Sequence, residues 1–162
     1  MTRLLGIFKR SPREIPATWL NRSIFVRTSG HILGRAQYKL GRFSEARYSL
    51  ERALAVWKDD NLARLYLGLT LGRSGDRANG RRAIEAGMKG LHDWLEDMAS
   101  SMPHSSLWDP QREIRSESEK SRSMIAGKDI EWERLISSAE WLGTKIEDEM
   151  DLVRRQESRP DE

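Results

Sequence analysis

The residues of this chain that could do chemistry are few and scattered. Imidazole is the side chain best suited to general acid–base work and metal ligation near neutral pH, and there are three, His31, His92 and His104. They share no ligand spacing with one another, and none stands in an HExxH-type pattern with a carboxylate. The acidic run Glu147-Asp148-Glu149 with Asp151 has hard-cation chemistry. On a helix, however, these side chains point in different directions, which suits a solvated face better than a closed oxygen cage. Cysteine is absent, so thiolate catalysis, disulfides and thiolate metal sites are excluded. No GxSxG elbow, phosphate loop or dinucleotide fingerprint occurs. The expectation is therefore a protein that is not an enzyme, with no metal and no cofactor.

Two weaker chemistries remain. Arg35, Lys39, Arg42 and Arg47 are interleaved with Tyr38, Phe43 and Tyr48, and cations beside aromatic rings can hold phosphates and stack bases. The net charge of +3 is small for that task, and nucleic acid is not expected as a partner. Near the N-terminus, Leu4, Leu5, Ile7 and Phe8 with Arg3, Lys9 and Arg10 could make one amphipathic turn on an anionic surface. So short a segment binds weakly, so no membrane partner is expected; a membrane-surface scaffold is kept only as an alternative.

The elements that must position these residues are helical. A chain of 162 residues, 38% apolar and 33% charged, is long enough for one domain with a real core and much solvated surface. Its apolar runs fall well short of the ~20 residues that span a bilayer, and the start of the chain lacks the long apolar stretch of a secretory signal. A soluble, cytoplasmic protein is expected. Charge is polarised: +8 over residues 1–50, +3 over 51–90 and −8 over 91–162. The basic and acidic parts could attract one another within a molecule or between molecules.

Residues 1–16, with Pro12 and Pro16, read as a flexible leader, and a helix is expected after Pro16 through Trp19, Leu20, Ile24 and Phe25. Asp109-Pro110 reads as the start of a polar helix over Gln111–Ala126, closed by Gly127. A second helix is expected from a cap at Asp129 to about Arg155. Its stripe is Trp132, Leu135, Ala139, Leu142, Ile146, Met150 and Val153, at steps of three or four. Residues 107–155 thus predict a helical hairpin, and 156–162 a disordered polar tail.

The middle of the chain repeats itself at an offset of 34 residues. Leu33-Gly34 meets Leu67-Gly68, Gly41 meets Gly75, Ala46 meets Gly80, Leu50 meets Ile84, and Ala53-Leu54 meets Gly87-Met88. On these residues the chain resembles the tetratricopeptide repeat (TPR) family, whose period this is. The unit over 27–60 carries the family's Leu33-Gly34, Gly41-x-Phe43, Ala46, Leu50 and Ala53-Leu54. The unit over 61–94 departs further, with Arg77 for the turn aromatic and Gly80 and Gly87 for the two alanines. The family's early Trp and boundary Pro are missing from both.

The resemblance implies an all-α fold, a right-handed TPR-like α-solenoid of antiparallel helix pairs over residues 17–106, capped by the 107–155 hairpin. It also implies a non-catalytic adaptor or scaffold that binds a peptide or protein segment in a groove lined by the first helix of each unit. The family's groove positions map to His31, Arg35, Tyr38 and Lys39 in one unit and to Leu62, Leu65, Leu69 and Arg73 in the next. Such a groove would favour an acidic segment with apolar anchors. The same three leucines fit equally a core lying under the hairpin. The carboxylate clamp that holds chaperone tails in this family has no matching Asn here, so that ligand is not implied. Self-assembly into a homo-oligomer, through contacts of the basic N-terminal half with the acidic C-terminal part, is the alternative.

Overall fold

A computed structural model describes residues 31–101, 108–127 and 130–157. The leader and most of the tail expected at the two ends, the helix expected after Pro16, His104 and the cap expected at Asp129 lie outside these residues. Six helices form among the described residues. They are α1 over 31–39, α2 Phe43–Val56, α3 Asn61–Arg73, α4 Arg77–Ser101, α5 Glu113–Ala126 and α6 Trp132–Glu157.

Glycine ends two of these helices in the same way. Gly41 (φ 72°) and Gly75 (φ 96°) both adopt the left-handed conformation that costs a side chain. After α1, the amides of Gly41 and Arg42 donate to the carbonyls of Tyr38 and Gln37, at 2.9 Å each. After α3, those of Gly75 and Asp76 donate to Gly72 and Leu71, at 3.2 and 2.9 Å. Both are Schellman closures, which satisfy carbonyls a helix end would otherwise leave bare. They stand 34 residues apart. Side-chain caps start α3 and α4: Asp60 accepts from the Ala63 amide at 2.9 Å, and Asp76 from the Asn79 amide at 3.2 Å.

α3 is the centre of the molecule. Its Leu62, Ala63, Leu65, Tyr66, Gly68, Leu69, Thr70, Leu71 and Gly72 are all buried, because α2, α4 and α6 pack on different sides of it. This matches its sequence, which is apolar on nearly every face. The α3–α4 crossing is unusually close. A Cβ built on Gly80 would lie 2.8 Å from the Gly72 amide nitrogen and 2.9 Å from the Gly68 carbonyl oxygen. One on Gly87 would lie 2.8 Å from the Leu65 amide nitrogen. The two alanines expected by resemblance would not fit there.

α5 starts later than the sequence suggests. Asp109-Pro110 does not open the helix, which begins at Glu113, preceded by Arg112 in the left-handed conformation (φ 56°). Asp109 still caps, but from a distance. Its carboxylate accepts from the amides of Ile114 and Arg115, at 3.1 Å each, and from Arg115 Nε at 3.0 Å. Arg115, itself buried, donates onward to the Asp109 carbonyl and to Glu96 on α4. The buried ion pair needs the loop to fold back over the helix start, and that long-range demand overrides the local Asp-Pro signal. α5 lies against α4 and α6, tied by Ser118 Oγ to the Met88 carbonyl (3.2 Å) and by Ser138 Oγ to Glu117 (2.6 Å).

α6 closes the core. Leu135, Ile136, Ala139, Leu142, Ile146 and Val153 are each at most 4% exposed. At about 1.5–3 kcal/mol per fully buried large aliphatic side chain, its burial is worth on the order of 10 kcal/mol. That compares with the whole stability of an ordinary domain, so α6 is an integral layer of the fold. Among the described residues no helix is long and apolar enough to cross a membrane.

Candidate functional site

α6 lies across α1 and α3, the two helices on which the sequence places a binding groove. Small residues let it sit close. A Cβ on Gly143 would come within 2.7 Å of Tyr66 Oη, and one on Gly72 within 2.5 Å of the Trp132 ring. Arg77 caps that ring from outside, its guanidinium 5.7 Å from the centroid.

A row of carboxylates on α6 meets the groove. Glu133, Glu140 and Glu147 are spaced seven residues apart, so a helix turns all three to one side. Glu133 lies 3.4 Å and Glu140 3.6 Å from Arg73. Tyr38 Oη donates to Glu140 at 2.5 Å. Glu147 Oε2 is 2.5 Å from Arg35 Nη1. By distance this last contact is an ion pair, but its angles leave both Glu147 oxygens and Arg35 Nε without a hydrogen bond. Burial pushes the Glu147 carboxyl above the usual carboxylate range, with the Arg35 charge pulling the other way. Burial, aided by the bond to Glu140, also raises the Tyr38 phenol.

The eight groove residues named from the sequence therefore part ways. Leu62, Leu65 and Leu69 are core, none more than 3% exposed. His31 is buried and turns to Asp60, with Nδ1 3.3 Å from its carboxylate. Arg35, Tyr38 and Arg73 face α6. Lys39 is exposed and makes no ion pair among the described residues. The basic and aromatic residues considered for nucleic acid are likewise divided. Arg35 and Tyr38 lie under α6, while Arg42 and Arg47 pair with Glu45 and Glu51 on the exposed side of α2.

One part of the groove stays open. A cleft of about 620 Å³ runs beside α6 at the α1–α2 turn, within the range of small-ligand and peptide-anchor pockets. Tyr38, Lys39 and Arg73, all nominated from the sequence, line it. So do Phe43, Tyr66 and Trp141, none of them among the groove positions mapped from the sequence, together with Ser137, Glu140 and Thr144. Tyr38 sits between Phe43 and Tyr66, at ring-centroid distances of 5.8 and 6.1 Å. Tyr66 is 1% exposed, and its Oη has no hydrogen-bond partner of good geometry, although Thr144 and Arg35 stand beside it. Burial first, then the Glu147 charge, push its phenol up to about 12. The seven-residue spacing of Glu133, Glu140 and Glu147 is the sequence signal that could have found the α6 side of this site.

His92 Nε2 lies 3.1 Å from Glu119, and Asp151 accepts from Arg154. Among the described residues no group of three His, Asp and Glu side chains is placed to hold a metal ion. Compared with known proteins, the chain matches no family model, no curated protein and no solved structure.

Proposed function

We propose that the chain is a non-catalytic protein-binding module, a pair of TPR-like helical units whose groove is closed over most of its length by the chain's own α6. The repeat reading is supported by two glycine closures of identical bonding, 34 residues apart, and by the α1–α2 and α3–α4 succession around them. Under it, α5 and α6 form the capping hairpin, and the helix pairs run as an antiparallel solenoid. The observation that carries the function is the open cleft. Aromatic surface from Tyr38, Phe43, Tyr66 and Trp141 gathers there with Lys39 and Arg73. Rigid aromatic anchors and cations at one concave place are what protein recognition uses.

The test is affinity capture from native lysate with Trp141→Ala in parallel. Trp141 is 36% exposed, so its loss should leave folding nearly intact. A partner captured by the wild type and lost with the variant supports the module. Partners retained equally by both would place recognition elsewhere. Self-assembly is the second reading, from the charge polarity. Here α6 already pairs with Arg35 of α1 and Arg73 of α3 within one chain, so assembly through those contacts would need α6 to exchange between copies. Light scattering at low and high salt separates the two readings.

A further inference from the structure

The chemistry of the cleft says what a partner would insert. This step rests on the protein-binding reading above and specifies its ligand. The walls are aromatic and come from four helices: Tyr38 on α1, Phe43 on α2, Tyr66 on α3 and Trp141 on α6. Such a surface favours a planar ring over an aliphatic chain, because offset and edge-on aromatic pairs add to simple burial. Behind this wall the Tyr66 hydroxyl is sealed against Gly143, with Thr144 and Arg35 beside it, so Tyr66 offers the cleft its ring and not its oxygen.

The rim selects charge. Of its two cations, Arg73 is already shared between Glu133 and Glu140. Lys39 is exposed and makes no ion pair among the described residues. The rim carboxylate, Glu140, is held by Tyr38 and Arg73. The unspent charge at the mouth is thus positive, and it sits beside the aromatic wall.

We propose that the cleft binds an aromatic side chain flanked by a carboxylate in a partner's polypeptide. The ring rests against Phe43 and Trp141, while the neighbouring Asp or Glu pairs with Lys39. The volume of about 620 Å³ exceeds one ring and accommodates the flanking residue as well.

Three acetylated, amidated pentapeptides serve as probes: Gly-Glu-Phe-Glu-Gly, the same with Ala for Phe, and the same with Lys for both Glu. Binding is read from the amide signals of Lys39 and Phe43 and the Trp141 indole signal in nitrogen–proton NMR spectra of the full chain. The acidic aromatic peptide should shift these signals, and Trp141→Ala should abolish the effect. The alanine peptide should bind at least about tenfold more weakly. The lysine peptide should bind about fivefold more weakly, the scale of one exposed ion pair. Lys39→Glu, a surface change expected to keep the melting temperature, should invert the preference between acidic and basic peptides. Tyr66→Phe, which keeps the ring and removes only the sealed hydroxyl, should leave binding unchanged.

Equal binding of acidic and basic peptides, equal binding of the alanine peptide, or no shift by any peptide at millimolar concentration overturns the proposal. A protein captured through Trp141 but indifferent to Lys39→Glu would leave the general binding role standing and sink this assignment. Partners retained equally by wild type and Trp141→Ala would place recognition outside the cleft and sink this assignment, while capture of no partner at all would sink the general role.

Discussion

Replacing Gly80 by alanine sets the family pattern against the geometry of this molecule. The TPR resemblance puts alanine at positions 80 and 87, and consensus changes commonly stabilise proteins by roughly 0.5–2 kcal/mol. Alanine also gains about 1 kcal/mol over glycine in a helix interior. Against this, a Cβ on residue 80 meets backbone on two sides, 2.8 Å from Gly72 N and 2.9 Å from Gly68 O. Backbone atoms of a buried helix cannot swing aside as a side-chain tip does. α3 and α4 would have to separate along a crossing that also carries Gly68 against Ile84 and Gly87 against Leu65. Overpacking of this kind costs about 1–3 kcal/mol, and here the upper end applies. Subtracting the helix gain leaves a net loss of about 1–2 kcal/mol, or a fall in Tm of roughly 3–8 °C for a chain of this size. Gly80→Ala/Gly87→Ala should fall further, and not additively, since both press on one interface. Thermal unfolding by circular dichroism with urea titration reads this directly. Gly90→Ala is the internal control. It lies on the same helix, but the three atoms nearest its added Cβ all belong to the Asn61 side-chain amide, whose one bond, from the half-buried Arg64, can follow as it turns away, so stability should hold or rise. Gly80→Ala at or above wild-type stability, or Gly90→Ala as harmful as Gly80→Ala, would refute the reasoning.

Other substitutions probe the remaining contacts. Gly143→Ala should destabilise by about 1–2 kcal/mol in urea titration, because its Cβ meets Tyr66 Oη at 2.7 Å; adding Tyr66→Phe should recover most of the loss. Tyr66→Phe alone should be neutral or stabilising by up to about 1 kcal/mol, since the buried hydroxyl it removes has no partner. Asp109→Ala strips a buried arginine of its nearest carboxylate and should cost about 3 kcal/mol, a loss visible as a lowered urea midpoint. The buried Glu147 carboxyl has its folded pKa raised above the unfolded value, so protonation favours the folded state. Its contribution should improve as pH falls from neutral through that folded pKa, levelling off near the ordinary Glu value of about 4.3. Urea midpoints of wild type relative to Glu147→Gln should rise over that window; a relative fall would mean that the Arg35 pairing outweighs burial.

α6 alters what the repeat resemblance can mean here. In an open groove, Arg35, Tyr38 and Arg73 would be free to meet a partner. Here they meet Glu147 and Glu140 of the same chain, on a helix whose Leu135, Ile136, Ala139, Leu142, Ile146 and Val153 are at most 4% exposed. The Arg73 pairs with Glu133 and Glu140 are largely exposed and contribute at most about 1 kcal/mol each, and burial of the Glu147 carboxylate offsets its attraction to Arg35, so the row of glutamates orients α6 while its apolar face holds it. A partner competing for the whole groove would have to offset that apolar burial. One that uses the cleft would not.

Local features were legible from residue types alone. The spacing of Leu135, Ala139, Leu142 and Ile146 could only make an amphipathic helix, and all four are buried on α6. Gly41 and Gly75 mark turns because a closing helix needs a left-handed residue there, and both have it. The apolar girdle of α3 announced a helix covered on several sides, which is how it stands. These follow from short-range sterics and periodicity, which a sequence states directly.

Only tertiary structure decided where the faces go. That α6 would lie over α1 and α3, turning three candidate groove leucines into core, depended on gaps at Gly72 and Gly143 and on charges brought together from residues 35, 73, 133, 140 and 147. The late start of α5 depended on Asp109 finding Arg115 in a buried pair. The glycines of α4 stand in for alanines because α3 comes within backbone contact. A sequence lists which side chains are available for such contacts, but the free energy that chooses among them belongs to pairs far apart in the chain, and it exists only once the chain has folded.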